Sequence, residues 1–304
     1  MGHANKTMNR IQTCSFWTYL LLTISIFLGA CEKPGEALND RKKRENEAEI
    51  DQYIKQNNLT ATKTEQGIYF IQTKTVPTGQ VPEIGNEVRY HYTTRRLDGV
   101  IVDSTDIASN NPATVILNGN STTGITLGRY AGLLKLKQGE EGSVLVPSYL
   151  DGGRVGTLLL PQYSPVRYDL RVVSVRTENQ QIEDYIKANG IVVTSKTDDG
   201  LRVSVTQARP DSVAITTGKT VTVNYTGKLL NGTKFDGNAA GTFQVRIGEK
   251  QVVGGFENGL TKLRAGEKAL LIFPSALGYS ATGSGAKVPP HSPLLFEIDI
   301  VKVQ

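Results

Sequence analysis

The sequence is poor in the side chains that most metal centres and nucleophilic enzymes require. It has only two cysteines, Cys14 and Cys31, so the chain beyond them carries no thiol and no disulfide framework. The three histidines have no cysteine partner after Cys31, which excludes a His/Cys metal cluster. No serine stands in a Gly-x-Ser-x-Gly context, the pattern of many serine hydrolases. We therefore predict no metal and no cofactor, and only a cation site made of carboxylates alone stays open.

A strong excess of one charge is also absent. The chain has 34 Lys and Arg against 29 Asp and Glu, and the excess is scattered, which disfavours a nucleic-acid groove. The tripeptide 218–220 resembles the end of a phosphate-binding P-loop, but Val213 occupies the position of its first glycine and a strand follows. Pro289 and Pro290 follow the glycine-rich stretch 283–285, where a phosphate-binding helix would have to begin. The sequence therefore predicts no nucleic acid among the partners.

The first thirty residues have the arrangement of a secretory signal, with basic residues followed by an uncharged run. Lys6 and Arg10 precede an uncharged run at 15–30, which is shorter than the roughly 20 residues of a membrane span. The run ends in Leu-Gly-Ala-Cys, which resembles the bacterial lipobox, in which the cysteine becomes the lipidated N-terminus. We predict a lipoprotein signal peptide at 1–30 and lipidation of Cys31. An ordinary signal or a short uncleaved anchor is the alternative.

This N-terminus predicts a lipid-anchored protein of the bacterial cell envelope that faces the periplasm. Glu32 after the cysteine favours the outer membrane. Residues 31–45 have mixed charge and few large apolar side chains, so we expect a flexible tether. The basic run 41–44 resembles a nuclear or nucleic-acid patch, but in a secreted, lipidated chain it is better interpreted as a linker that contacts anionic lipid headgroups.

The remaining sequence contains an internal repeat. In the same order along both halves, IDQYIKQNN at 50–58 matches IEDYIKANG at 182–190, VRYHYTTRRLDG at 88–99 matches VTVNYTGKLLNG at 221–232, and Pro147-Ser148 matches Pro274-Ser275. The spacing is much longer than the roughly 20 to 50 residues of a solenoid repeat. We therefore predict two tandem domains, the first repeat at 46–176 and the second repeat at 177–304, joined by a short linker at 176–179.

The second repeat has the pattern of an α+β domain. Val221, Val223 and Tyr225 alternate with polar residues, as in a half-buried strand, and 296–300 repeats this alternation. One short helix is predicted around Phe256, with Gly266 as its stop signal. Each repeat also opens with a predicted amphipathic helix, at 47–56 or at 180–188. We expect an antiparallel sheet wrapped around a short helix in each repeat.

Aromatic residues are concentrated in the segments of the second repeat that should converge. The rings and the single acid that accompanies them are Tyr225, Phe235, Asp236, Phe243, Phe256, Tyr279 and Phe296. This pattern predicts an apolar cleft with a few polar groups, the usual form of a small-ligand site. A plain aromatic core is the alternative.

Residues 221–303 resemble the FKBP-type peptidyl-prolyl cis-trans isomerases over essentially the whole domain. Four segments carry the resemblance in the family's order and spacing: VNYTGKLLNGTKFD, GGFENGLTKLRAGEK, FPSALGYSATG and VPPHSPLLFEIDIV. The resemblance implies two tandem FKBP-like domains and isomerisation of X-Pro bonds in proline-containing polypeptides that are unfolded or still folding.

The resemblance also implies a role for each site residue. Phe256 is the aromatic floor under the proline ring, an indole in many members. Tyr279 hydrogen-bonds a substrate carbonyl, and Asp236 lies beside the twisted imide and bonds to Tyr225. Together these four form the implied catalytic set. The implied substrate-binding residues are Phe235, Phe243, Val252, Val253, Val288 and Phe296.

The first repeat departs from the family pattern. Aligned back from Pro147, it has Arg129 in place of Phe256, Gly152 in place of Tyr279 and Val102 in place of Phe235. The site residues retained are Tyr92, Asp103 and Tyr168. Because an arginine cannot form an apolar floor, we predict that the first repeat keeps the fold, lacks isomerase activity, and either docks clients or positions the second repeat. Misalignment across the poorly matching stretch 110–126 is the alternative.

Three functional hypotheses follow. The leading one is a lipid-anchored isomerase that assists the folding of extracytoplasmic proteins. The second is a chaperone that holds unfolded chains in the same clefts without catalysis. The third is a structural envelope lipoprotein with an aromatic core. The joint presence of Asp236, Phe256 and Tyr279 favours the first, since packing alone does not need the phenol and the acid beside the floor.

Overall fold

The computed structural model describes residues 37–119, 124–151 and 156–304. The predicted signal peptide, Cys31 and Gly152 lie outside these ranges. Contacts divide the chain into two compact units, Met1–Glu45 and Asn46–Gln304. No helix within the described ranges is long and apolar enough to cross a membrane.

The expected flexible tether is wrong for its second part. Helix α1 runs from Leu38 to Gln56 and so includes residues that composition alone assigned to a linker. Within the first unit, Arg41 and Lys42 form ion pairs with Glu45 at 3.6 and 2.6 Å. Such pairs three and four residues apart stabilise a helix, and Lys, Arg, Glu and Leu are good helix formers. The basic run therefore lies on a helix, which mixed charge did not reveal.

The first repeat contributes one antiparallel sheet. Its strands are β1 (Thr62–Lys63), β2 (Tyr69–Lys74), β3 (Glu87–Arg96), β4 (Ile101–Ser104), β5 (Ala113–Ile116), β6 (Glu141–Val146) and β7 (Val166–Arg176). They pair in the order β1-β2-β6-β7-β3-β4, with β5 also on β3. Helix α2, Leu127–Leu133, packs against β6 and β7.

The second repeat has the same topology. Its strands are β8 (Ser195–Lys196), β9 (Arg202–Gln207), β10 (Thr220–Leu229), β11 (Lys234–Arg246), β12 (Lys268–Phe273) and β13 (Leu294–Val303). They pair in the order β11-β10-β13-β12-β9-β8. Helix α3, Glu178–Ala188, precedes the sheet, and helix α4, Gly254–Leu260, packs on β12. The single strand β11 corresponds to both β4 and β5, which explains the poor match of the two sequences there. The predicted α+β architecture of antiparallel sheets and short helices is confirmed.

Each sheet carries apolar side chains on both faces. The inner face packs on the short helix, where Leu260 and Leu263 are fully buried in the second repeat. On the outer face, Ile182 of α3 packs with Ile272 and Leu295. The corresponding cluster of the first repeat joins Ile50 of α1 to Tyr69, Ile71 and Leu145. The opening helices therefore cover the sheets' outer faces, which explains their amphipathic pattern.

Two helix boundaries differ from expectation. Helix α4 ends at Leu260 rather than at Gly266. Gly266 has a φ of +75° and donates its N–H to the carbonyl of Ile300 at 3.1 Å, so its left-handed conformation serves the turn into β12. Helix α3 begins two residues earlier than predicted because Thr177 and Gln180 form a capping box. Only Thr177 separates β7 from α3, so the repeats are joined even more tightly than the sequence suggested.

Candidate active site

A cavity of about 430 Å³ opens on the inner face of the second repeat. Its walls come from β10, β11, the segment before α4, the turn after β12, and β13. The residues that line it are Tyr225, Asp236, Phe243, Gln251, Val252, Val253, Phe256, Tyr279 and Phe296. Eight of these nine residues were predicted as site residues from the sequence, and the fold brings them together.

Two glycines of α4 set the floor of this cavity. A Cβ at Gly255 would lie 2.5 Å from the Phe273 ring, and one at Gly259 would lie 2.3 Å from Leu271. Since real Cβ atoms do not approach so closely, only glycine lets α4 lie this near β12. Phe256, on the same first turn, is 2% exposed. The close contact of helix and sheet thus presses the Phe256 ring into the base of the cavity.

The rings around Phe256 meet it edge to face. Its ring centroid lies 5.1 Å from Phe296, 5.5 Å from Tyr225 and 6.3 Å from Phe243, with interplanar angles of 83°, 81° and 90°. Such contacts are favourable beyond simple burial, because the positive ring edge meets the negative ring face. The arrangement holds the floor and walls in fixed orientations, leaving a rigid apolar surface on which a small ring can lie.

The hydroxyl of Tyr225 is oriented by Asp236. It donates to Oδ2 of Asp236 at 2.9 Å, while Oδ1 of the same carboxylate accepts the N–H of Gly237 at 2.8 Å. Burial, and then the hydrogen bond and charge of Asp236, raise the pKa of Tyr225 to about 12. Tyr225 therefore remains protonated at neutral pH and keeps Asp236 in place at the cavity rim.

The hydroxyl of Tyr279 is available to a ligand. Within the described ranges it has no hydrogen-bond partner in the protein, although the residue is half-buried at the cavity. Burial, with a contribution from the charge of Asp236, raises the pKa of Tyr279. The phenol thus stays a hydrogen-bond donor at neutral pH and can donate to a carbonyl oxygen in the cavity.

Two predicted substrate-binding residues lie behind the cavity surface, and one lining residue was missed. Phe235 is 8% exposed and meets Phe296 and Tyr279 edge to face at 5.5 and 6.3 Å. Val288 is 2% exposed and belongs to the core. Neither lines the cavity. Gln251 does, and its only sequence signal was its position directly before Val252.

Comparison with known proteins agrees with this site. Residues 212–301 match the family model of the FKBP-type peptidyl-prolyl cis-trans isomerases. The chain is 42% identical over 88 residues to an FK506-binding protein of Neisseria meningitidis, an alignment that covers 28% of this chain and 81% of that protein. The chain belongs to the FKBP-type peptidyl-prolyl cis-trans isomerase family. The resemblance read from the four sequence segments is confirmed.

Longer FKBP-family relatives align with more of the chain. The peptidyl-prolyl cis-trans isomerase FKBP9 of Homo sapiens is 28% identical over 239 residues, which cover 77% of this chain and 38% of that protein. This chain therefore spans well under half the length of that relative. The alignment is longer than either repeat, so it includes parts of both. The solved structure of the three FKBP domains of wheat FKBP73 is 22% identical, covers 81% of this chain and 99% of its own, and has a TM-score of 0.40.

The first repeat places different groups at the corresponding FKBP positions. Tyr92 donates to Asp103 at 2.7 Å, as Tyr225 does to Asp236. Arg129 occupies the third position of α2, as Phe256 does in α4, and its guanidinium lies 4.4 Å from the centre of the Tyr92 ring. The strand registers also align Tyr168 with Phe296, and Ala113 with the wall residue Phe243. The first repeat thus keeps the hydrogen-bonded pair but has a cation at the floor.

Proposed function

We propose that the second repeat isomerises X-Pro peptide bonds in protein substrates. The observation that carries this proposal is the joint arrangement around one cavity of a buried phenyl floor, the hydrogen-bonded pair Tyr225–Asp236 and the hydroxyl of Tyr279, which has no hydrogen-bond partner among the described residues. A packed core needs the rings but not a free phenol or a carboxylate at its rim. The family match to residues 212–301 supports the same assignment.

The chemistry fits a site without a nucleophile. Rotation about the X-Pro bond has a barrier of about 18–20 kcal/mol because the C–N bond has partial double-bond character. The twisted imide loses this resonance and is less polar than the planar ground state. An apolar cavity therefore favours the twisted form, and a donor held at the rim can fix the substrate carbonyl. Phe256 would support the proline ring, Tyr279 would donate to the carbonyl, and Tyr225 with Asp236 would flank the imide.

We further propose that this activity serves protein folding outside the cytoplasm. The uncharged run before Cys31 and its Leu-Gly-Ala-Cys end support a lipid anchor in the bacterial envelope, facing the periplasm. Replacement of Cys31 by serine should release the protein from the membrane fraction and abolish labelling with a radioactive fatty acid. Unchanged labelling of Cys31→Ser would contradict the anchor.

The first repeat is proposed to position the second and to lack activity of its own. Contacts of the loop after Val288 support this role. A Cβ at Gly85 would lie 3.1 Å from Nδ1 of His291. Pro289 and Pro290 line a crevice of about 260 Å³ together with residues of the first repeat, namely Thr114, Val115, Ile116, Asn118, Gly124 and Ile125. Client docking is a second candidate role, favoured by Leu158, which is fully exposed, and by Leu159, which is 47% exposed.

Protease-coupled isomerisation of a proline tetrapeptide tests the main proposal on the full chain. The wild-type protein should accelerate the slow phase, and Phe256→Ala should accelerate it about tenfold less or weaker still. Arg129→Ala is the matched variant in the first repeat and should retain full activity. If acceleration survives Phe256→Ala but is lost in Arg129→Ala, the activity belongs to the first repeat and the proposal is wrong. Aggregation suppression without any acceleration would favour the chaperone hypothesis instead.

A further inference from the structure

The carboxylate of Glu178 binds a residue far from it in sequence. Glu178 is the first residue of α3, and its side chain is 17% exposed. Its Oε2 accepts the backbone N–H of Ser275 at 2.5 Å, and its Oε1 accepts the Ser275 hydroxyl at 2.7 Å. Ser275 itself is 4% exposed. Two hydrogen bonds to one charged group make this a strong contact, since charge-assisted hydrogen bonds are about twice as strong as neutral ones.

Ser275 in turn holds the backbone on both sides of Tyr279. Its carbonyl accepts the N–H of Gly278 and the N–H of Ser280, each at 2.8 Å. Ser280 has a φ of +53°, a conformation that a non-glycine residue rarely adopts unless its surroundings impose it. The carbonyl of Ser280 also accepts the N–H of His291 at 2.9 Å. The turn that carries the Tyr279 phenol is therefore attached to the Glu178 carboxylate through one intermediate residue.

The first repeat contains the same attachment with a different residue. Asn46 of α1 accepts the N–H of Ser148 at 2.8 Å and donates to the carbonyl of Tyr163 at 2.8 Å. Ser148 aligns with Ser275 in the sequence repeat, and Tyr163 has a φ of +62°, close to the +55° of His291. A neutral amide thus suffices to hold this turn where no phenol is expected. Only the second repeat uses a carboxylate and adds the hydroxyl bond.

We propose that Glu178 is a positioning residue for prolyl isomerisation, which acts through Ser275 to fix the Tyr279 hydroxyl at the cavity. This inference rests on the proposed function of the second repeat, since it assigns a supporting role to a residue outside the cavity. Glu178 does not line the cavity. Its carboxylate lies 4.0 Å from Nδ1 of His291, but both of its hydrogen bonds go to Ser275, so we expect its effect on catalysis to pass through the placement of Tyr279.

A double-mutant cycle with Tyr279→Phe, carried out on the full chain, tests this role. Glu178→Ala should lower kcat/KM several-fold, by about as much as Tyr279→Phe. The double variant should be no slower than Tyr279→Phe alone, because a residue that acts through the hydroxyl has no further effect once the hydroxyl is gone. Equal fractional losses from Glu178→Ala in both backgrounds would overturn the proposal. Wild-type kcat/KM in Glu178→Ala would overturn it as well.

Two further variants keep the test valid if Glu178→Ala unfolds. Glu178→Asn reproduces the residue found at this place in the first repeat, so it should fold, retain one acceptor for Ser275 and show a smaller loss of kcat/KM. Glu183→Gln is the matched control on the same helix. Glu183 pairs with Arg202 and Lys196 and does not touch Ser275, so its loss should leave kcat/KM unchanged.

A readout independent of activity separates this inference from the proposed function. The ring signals of Tyr279 in an NMR spectrum, assigned by their loss in Tyr279→Phe, should shift or broaden in Glu178→Ala and remain in place in Glu183→Gln. Unchanged Tyr279 signals in Glu178→Ala would overturn the positioning role even if the isomerase is active. Absence of isomerase activity in the wild-type chain would refute the proposed function, while shifted Tyr279 signals would still support the attachment.

Discussion

The two repeats share a fold but not a floor. Both place a short helix against the sheet through two glycines, Gly128 and Gly132 in the first repeat and Gly255 and Gly259 in the second. Both keep a tyrosine that donates to an aspartate. Only the second has a phenyl group under that tyrosine. The fold can therefore be built without Phe256, which means that this ring is better explained by a ligand than by the core.

The exchange of a phenyl for a guanidinium changes the chemistry of the cleft. Arg129 lies over the Tyr92 ring at 4.4 Å, a distance typical of a cation–π contact. A charged group keeps water near it, whereas the proposed mechanism needs a dry surface that favours a less polar twisted imide. The comparison thus supports the proposal that isomerisation belongs to the second repeat alone, and this proposal can be tested by changing matched residues in both repeats.

The largest difference is expected at the floor. Phe256→Ala should lower kcat/KM by about tenfold or more, since each 1.4 kcal/mol or so of lost transition-state preference is tenfold in rate. Arg129→Ala should leave kcat/KM unchanged. Protease-coupled isomerisation measures both variants.

A destabilised fold could mimic this result, because loss of a buried phenyl typically lowers the free energy of unfolding by about 3–5 kcal/mol. Phe256→Trp is the control, since the family resemblance implies an indole at this position in many members. It should retain most of the activity. An inactive Phe256→Trp that unfolds at the wild-type temperature would contradict the floor assignment.

Replacing the helix glycines should lower the free energy of unfolding by similar amounts in both repeats. A Cβ at Gly259 would meet Leu271 at 2.3 Å, and one at Gly132 would meet Leu170 at 2.4 Å, where both leucines are buried. Alanine at either position should destabilise its repeat by about 1–3 kcal/mol through overpacking. Calorimetry measures the loss. Gly259→Ala should also lower isomerase activity, whereas Gly132→Ala should not. Unchanged stability in both variants would show that the helices can move away freely.

Much of this arrangement could be predicted from the sequence. The alternation of Val221, Val223 and Tyr225 predicted which face of β10 joins the core, although Thr222 on the other face is buried as well. The repeated segments indicated two similar folds. The lining of the cavity followed from the family pattern, because those residues recur at fixed spacings. Arg129 was correctly aligned with Phe256, since the helix register is set by the glycines that contact the sheet.

Other features were missed in the sequence. Composition indicated only a solvated segment at 38–45, although the ion pairs of Arg41 and Lys42 with Glu45 are a local pattern that stabilises a helix. The family resemblance implied that Phe235 and Val288 lie at the cavity, but both side chains are buried in the core. Glu178 has no motif, since its partner Ser275 is 97 residues away in the chain.

A smaller loss of kcat/KM is expected when the Tyr279 hydroxyl is removed. Tyr279→Phe removes one hydrogen-bond donor, and a neutral hydrogen bond is worth about 0.5–1.5 kcal/mol. We expect kcat/KM to fall about two- to tenfold, with the unfolding temperature unchanged because the hydroxyl has no partner within the described part of the chain. Steady-state kinetics and thermal unfolding of the variant measure the two quantities. A loss as large as that of Phe256→Ala would show that the phenol, rather than the apolar floor, dominates catalysis.

The smallest expected effect is the titration of the tyrosine that both repeats retain. The pKa of Tyr225 is about 12 in the folded protein, raised first by burial and then by Asp236, against about 10 in an unfolded chain. A raised pKa means that folding favours the protonated phenol. This contribution to stability is therefore complete below pH of about 10 and is lost as the pH rises toward about 12.

Asp236→Asn should lower the pKa of Tyr225 while leaving it above 10, because burial remains. Asp103→Asn should lower the pKa of Tyr92 instead and leave that of Tyr225 unchanged, since each aspartate bonds only the tyrosine of its own repeat. NMR titration of the tyrosine ring carbons distinguishes the two, and an unperturbed Tyr225 pKa in the wild-type protein would contradict the bond to Asp236 in solution.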